Sequence, residues 1–167
     1  CKTNTTDKEY PGSQGQCVES FYYMGEDQYA HGEHTSARHI ASQVLHDYGI
    51  NANFAWATLI WLESLHERGL LGKGKRIETN LDFKKLGTAE FAREYARIIA
   101  CREDIGADLC EGHVRAAAKW GMLEEDLMSG LISAIHWGIG EQHWTNSINW
   151  AYTSLFDSRD INAHLMD

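Results

Sequence analysis

HDYGINANFAWATLIWLESLHERGLL (46–71) and LGTAEFAREYARIIACREDIGADLCEGHVRAAAKWG (86–121) decide the fold, because both stretches carry helix punctuation around apolar periodicity. Upstream, Ala37, Ile40, Ala41, Val44, Leu45 and Tyr48 recur at the spacing of one buried helical stripe from Thr35 onward. Gly49 ends that helix, since glycine enters the left-handed C′ conformation without a Cβ clash. Asn51 or Asn53 caps the next helix, which runs to about Arg68 and stops at Gly69. Its FAWATLIWL portion is apolar all round and demands burial on most sides, whereas Glu63, His66, Glu67 and Arg68 mark its exit to water.

After a loop from Leu70 to Gly87, Thr88 opens a third helix with a core stripe of Phe91, Tyr95, Ile98 and Ile99. Ala92, Ala96 and Ala100 predict close approach of another helix. A break at Gly106 precedes a fourth helix from Asp108 to Trp120, stopped by Gly121, and a shorter one follows over Glu124 to Ile132. The fold class is therefore mainly α with irregular ends: a loop region over 1–34, a helical domain over 35–133, and a segment over 134–167 dense in Trp, His and Asn. The first region holds the single proline, Pro11, and a short strand is expected at Val18 to Met24, VESFYYM. Irregular aromatic and polar segments on a helical scaffold are where binding and catalysis concentrate.

With 167 residues and 43% hydrophobic content the chain can bury a single core. A net charge of -9 excludes nucleic acid as a partner, because phosphate binding needs a clustered basic surface; the one compact basic run, Lys73, Lys75 and Arg76, reads as a solvated loop. The longest apolar segment, Phe54 to Leu62, is too short to span a membrane. The four cysteines, at 1, 17, 101 and 110, form no C-x-x-C pair, and the composition favours reduced thiols in a cytoplasmic enzyme. Cys101 and Cys110 read as small core residues. A first residue other than Met points to a piece of a longer protein; the rival is a lipid-anchored protein beginning at Cys1 with the tether KTNTTDKEY.

The order YGIN, then a buried helix ending HERGLL, then GTAEFAREYARIIACREDIGADLCEGHVRAAAKWG resembles the helical middle region of the aldehyde:ferredoxin oxidoreductase family. The resemblance implies a tungsten or molybdenum ion on two pterin dithiolenes beside a [4Fe–4S] cluster, an aldehyde substrate, and ferredoxin or a partner subunit as electron acceptor. The remainder of the same polypeptide would complete the enzyme. The tail WAYTSLFDSRDINAHLMD and the Asn of YGIN are closer to the branch containing the tungsten subunit of benzoyl-CoA reductase, which implies an acyl-CoA substrate instead. Trp137, Trp144 and Trp150 could line the apolar channel such a substrate needs.

By the same resemblance Cys1 is the last of three closely spaced cluster cysteines; otherwise it is an ordinary thiol. Glu19 matches a glutamate near the metal that could exchange a proton with substrate, or is a solvent-facing strand residue. His164 matches a substrate histidine after an Arg-containing turn, with Arg159 toward the cofactor and a spacing one residue longer than is typical. Asn51 stands where an aspartate often contacts a pterin, and serves equally as a plain helix cap. His31, Glu33, His34 and His39 give a spacing wrong for a helical zinc pair. His34 and its neighbours could line a pocket as proton donors, or form a capping region with Glu33 at the positive helix end. Glu63 and His66 make one Glu-x-x-His pair without a second, too few for a carboxylate-bridged metal bundle. A non-catalytic helical binding domain is the alternative from outside enzymology.

Overall fold

The computed structural model describes residues 2–4, 14–16 and 21–132. Two short strands, β1 (Lys2–Asn4) and β2 (Gln14–Gln16), pair antiparallel with Thr3 opposite Gly15. Among the described residues seven α-helices follow: α1 (Met24–His31), α2 (Ala37–Tyr48), α3 (Ala52–Glu67), α4 (Ala89–Cys101), α5 (Gly106–Leu109), α6 (His113–Trp120) and α7 (Leu123–Met128), with one 3-10 turn, Phe83–Lys85, between α3 and α4. The fold is mainly helical, as the periodicity requires.

α3 forms the centre. Ala52, Ala55, Leu59 and Leu62 are buried along one stripe and Thr58, Trp61 and Leu65 along the next, so two faces of the helix are covered. Ile60 alone among its large apolar residues is more exposed than half-buried, at 44%. α2 runs along α4, whose buried Phe91, Tyr95, Ile98 and Ile99 reproduce the expected stripe. Ala92 and Ala96 are buried, while Ala100 faces water. The Asn51 side chain accepts from Phe54 N at 3.1 Å and the Thr88 side chain from Phe91 N at 3.2 Å, each satisfying a first-turn donor that the helix leaves unpaired. Gly49 takes φ 68° at the end of α2.

Three elements differ from expectation. Phe21 to Met24 forms a turn that enters α1, not a strand; the helix escaped notice because Asp27 is its one buried residue and no apolar stripe betrays it. Polar anchors hold it instead: the Tyr23 hydroxyl donates to Thr88 O and accepts from Gly87 N, both at 2.9 Å. The helix expected from Asp108 to Trp120 is interrupted, because Gly112 adopts φ 96° between α5 and α6. The last helix is shorter than expected, ending at Met128. Cys101 is exposed and Cys110 half-buried, so neither is the core residue its apolar neighbours implied.

Candidate functional site

Among the described residues, unusual polar chemistry gathers where the turn before α1 meets α3 and α4. Tyr22, Tyr23 and Tyr95 are each withdrawn from water, and the Tyr22 and Tyr23 rings pack 5.7 Å apart. Tyr95 donates to Ala55 O at 2.9 Å, and Tyr23 makes the two bonds already described. The Tyr22 hydroxyl is buried with no partner. Burial raises all three phenols above the ordinary tyrosine range, since the phenolate would lose its hydration.

Two carboxyls share this region. Glu63, on α3, has its Oε1 sealed from water without a hydrogen-bond donor. Burial first, then the nearby charges of Glu26 and Glu67, push its carboxyl up to about 7. Glu26, on α1, is also raised by burial. Glu63 is thus half-buried rather than the helix's exit to water; His66 and Glu67 do reach solvent, and His66 stacks on Phe83 at 4.5 Å.

The adjoining turn between α1 and α2 is closed by Asp27. Its fully buried carboxylate accepts from Thr35 N at 2.7 Å and Thr35 Oγ1 at 2.5 Å, and His31 Nδ1 lies 3.1 Å from it. Thr35 Oγ1 in turn accepts from Ala37 N, so the start of α2 is organised by Thr35 and Asp27. His34 and Glu33 are exposed on this turn. Among the described residues no group of three His, Cys, Asp or Glu side chains is placed to hold a metal.

Asn51 is exposed at the head of α3, and its carbonyl oxygen is engaged by the cap, a bond that does not use its amide NH2. That arrangement fits a hydrogen bond to a pterin as well as it fits capping, because the two tasks use opposite ends of one side chain. Cys1, Glu19, Arg159 and His164 lie outside the described residues, as do Trp137, Trp144 and Trp150. Of the expected site residues, therefore, His34 and Asn51 are placed. Sequence reasoning missed Tyr22, Glu26 and Asp27. Tyr22 and Tyr23 fall in the segment expected as a strand, where the described residues Phe21 to Tyr23 form a turn, and a lone glutamate on a polar helix carries no signal of burial.

The comparisons with known proteins add one match. The family model for aldehyde ferredoxin oxidoreductase, domains 2 & 3, covers residues 1–131. Neither the curated proteins nor the solved structures give a match. With most of its length covered by that model, the chain belongs to the aldehyde ferredoxin oxidoreductase family.

Proposed function

We propose that this chain is part of a tungsten- or molybdenum-pterin oxidoreductase that interconverts aldehydes and carboxylic acids and passes electrons to ferredoxin or an electron-transfer subunit in the cytoplasm. The family match over residues 1–131 carries the proposal. The bound metal–pterin group and its neighbouring [4Fe–4S] cluster supply the two-electron chemistry, and the protein orients substrate and moves protons. Asn51 holds the pterin through its exposed amide, and Arg159 assists; Cys1 contributes one thiolate to the cluster. Glu19 and His164 are the proton carriers, a carboxylate and an imidazole suited to exchange near neutral pH. His34, exposed on the α1–α2 turn, is free to meet substrate or the rest of the polypeptide.

A second reading, reduction of an aryl-CoA thioester, is favoured by the amide at Asn51 in place of an acid and by the tail SRDINAHLMD. The test uses the full-length natural protein purified without oxygen. It is expected to contain tungsten or molybdenum with pterin and to reduce a viologen dye with an aldehyde, and its Glu19→Gln variant is expected to stay folded and loaded but to turn over far more slowly. Dye-linked activity with an aryl-CoA couple and none with aldehydes selects the second reading. Protein lacking both metals and pterin overturns both.

A further inference from the structure

The chain places a carboxyl oxygen, Glu63 Oε1, and a phenol, Tyr22 OH, in the interior with no hydrogen-bond partner for either. Such groups are expensive to bury, and an ionised carboxylate far more so than a neutral carboxyl. The charges acting on Glu63 make ionisation worse. Glu26 of α1 and Glu67 of its own helix, both acidic, act on it through their charge. The remaining titratable neighbours are neutral phenols, Tyr23 from the turn before α1 and Tyr95 from α4. Arg38 of α2 has its own Nε buried without a partner, yet it is not among the groups acting on Glu63. Among the described residues no cation therefore acts on a negative charge there, whereas Asp126 and Asp108 each have one.

We propose that Glu63, whose Oε1 is buried without a donor, is a built-in proton-binding site of the folded chain, and that its ionisation loosens the α1 segment, Phe21 to His31. Protonation gives the carboxyl a donor and removes its repulsion by Glu26 and Glu67. Loss of the proton leaves the donorless Glu63 carboxylate under the influence of two acidic groups, Glu26 and Glu67. The device is independent of any cofactor, so its test neither supports nor damages the redox proposal.

The sign follows from linkage. The folded carboxyl binds its proton more tightly than the unfolded one, so unfolded chains ionise first and stability is lost as pH rises from about 4.5 toward 7. Discounting for the water that reaches part of this side chain, the unfolding equilibrium constant should rise roughly tenfold to 100-fold between about pH 5 and 8 through this group alone. Urea unfolding of the full 167-residue chain at pH 5, 6, 7 and 8 reads this slope. Glu63→Gln keeps the shape without the charge and is expected to flatten it, whereas Glu67→Gln, on the exposed side, is expected to retain most of it. Hydrogen exchange at pH 8, corrected for intrinsic rate, is expected to show faster opening of the α1 amides than at pH 6 in the parent chain and not in Glu63→Gln. Should Glu63→Gln fail to fold, a carboxyl 13C titration of the parent chain decides: one glutamate is expected to titrate near neutrality, and to move down on Glu26→Gln. A glutamate spectrum with every midpoint below about 5, or an equal pH slope in Glu63→Gln, overturns the proposal.

Discussion

Two carboxyls at α3, one fully buried against it and one half-buried on it, are treated in opposite ways. Asp126 of α7 is fully buried, but Trp61 Nε1 of α3 donates to one oxygen at 2.8 Å and Arg68, which caps the C-terminus of α3, to the other at 2.7 Å. A second arm of the Arg68 guanidinium reaches Glu125 at 2.7 Å, tying the end of α3 to α7. Glu63, two residues along from Trp61, has a sealed oxygen with no donor and two acidic neighbours. A carboxylate saturated by donors fixes one charge state and one geometry, which is what a structural joint requires. One deprived of them leaves its charge state to pH, which suits a place where something is meant to change.

The largest expected effect tests the structural half of that contrast. Asp126→Ala leaves the indole N–H of Trp61 without its acceptor and Arg68 with only the exposed Glu125. Loss of about 3 kcal/mol is expected from breaking a buried pair of this kind, read as a lower urea midpoint at unchanged slope. Asp126→Asn, which preserves one acceptor, should lose less. A cost below about 1 kcal/mol for Asp126→Ala would erase the distinction from Glu63.

Gly87→Ala tests the other half. Gly87 sits at φ 89° beneath α1, and an added Cβ would lie 2.3 Å from Glu26 O and 2.4 Å from Ala30 Cβ. The same residue donates its N–H to Tyr23, the anchor of the α1 turn. A destabilisation of about 2 kcal/mol is expected, since the backbone must shift and the left-handed conformation penalises a side chain. The effect should be local. Exchange of the α1 amides should accelerate and the Glu63 titration should fall toward the ordinary carboxylate range, while the Asp126 joint keeps its protection. If α1 and α7 loosen together, the two regions are one cooperative unit and the contrast between them has no dynamic meaning.

How much of this was legible depends on which force holds each element. Gly49, Asn51, Thr88 and Gly121 could be read because capping and left-handed glycine are local properties of a few residues. The stripe of α4 could be read because burial there is apolar and periodic. α1 could not, since it is held by Tyr23 and Asp27, single polar anchors with no period. The interruption at Gly112 was hidden by Leu109, His113, Ala116 and Trp120, which continue a helical spacing straight across it. Glu63 was misjudged for a different reason. Its neighbours His66, Glu67 and Arg68 do lead α3 outward, but Glu26, whose charge acts on Glu63, lies about 40 residues earlier in the chain, where no local pattern reaches. The candidate cofactor contact was legible only as a residue type at a family position, and geometry added the cap bond that engages the Asn51 oxygen.

Asn51 gives the smallest and most discriminating effect, because it combines in one side chain the two behaviours that Asp126 and Glu63 divide between them: a fixed structural bond and a group left open. Its oxygen is committed to Phe54 N and its NH2 is not. Asn51→Ala should cost about 1 kcal/mol through the lost cap. Asn51→Asp should cost within about 0.5 kcal/mol, because aspartate caps as well and its charge is favoured at the positive end of α3. The aspartate variant therefore keeps the structural task while exchanging an exposed donor for an acceptor. In the full-length enzyme, retained stability with altered pterin content or altered preference between aldehyde and aryl-CoA substrates would locate the function of Asn51 in its open amide. Unchanged content and preference in Asn51→Asp, with the expected loss in Asn51→Ala, would reduce Asn51 to a helix cap and leave cofactor binding to other residues.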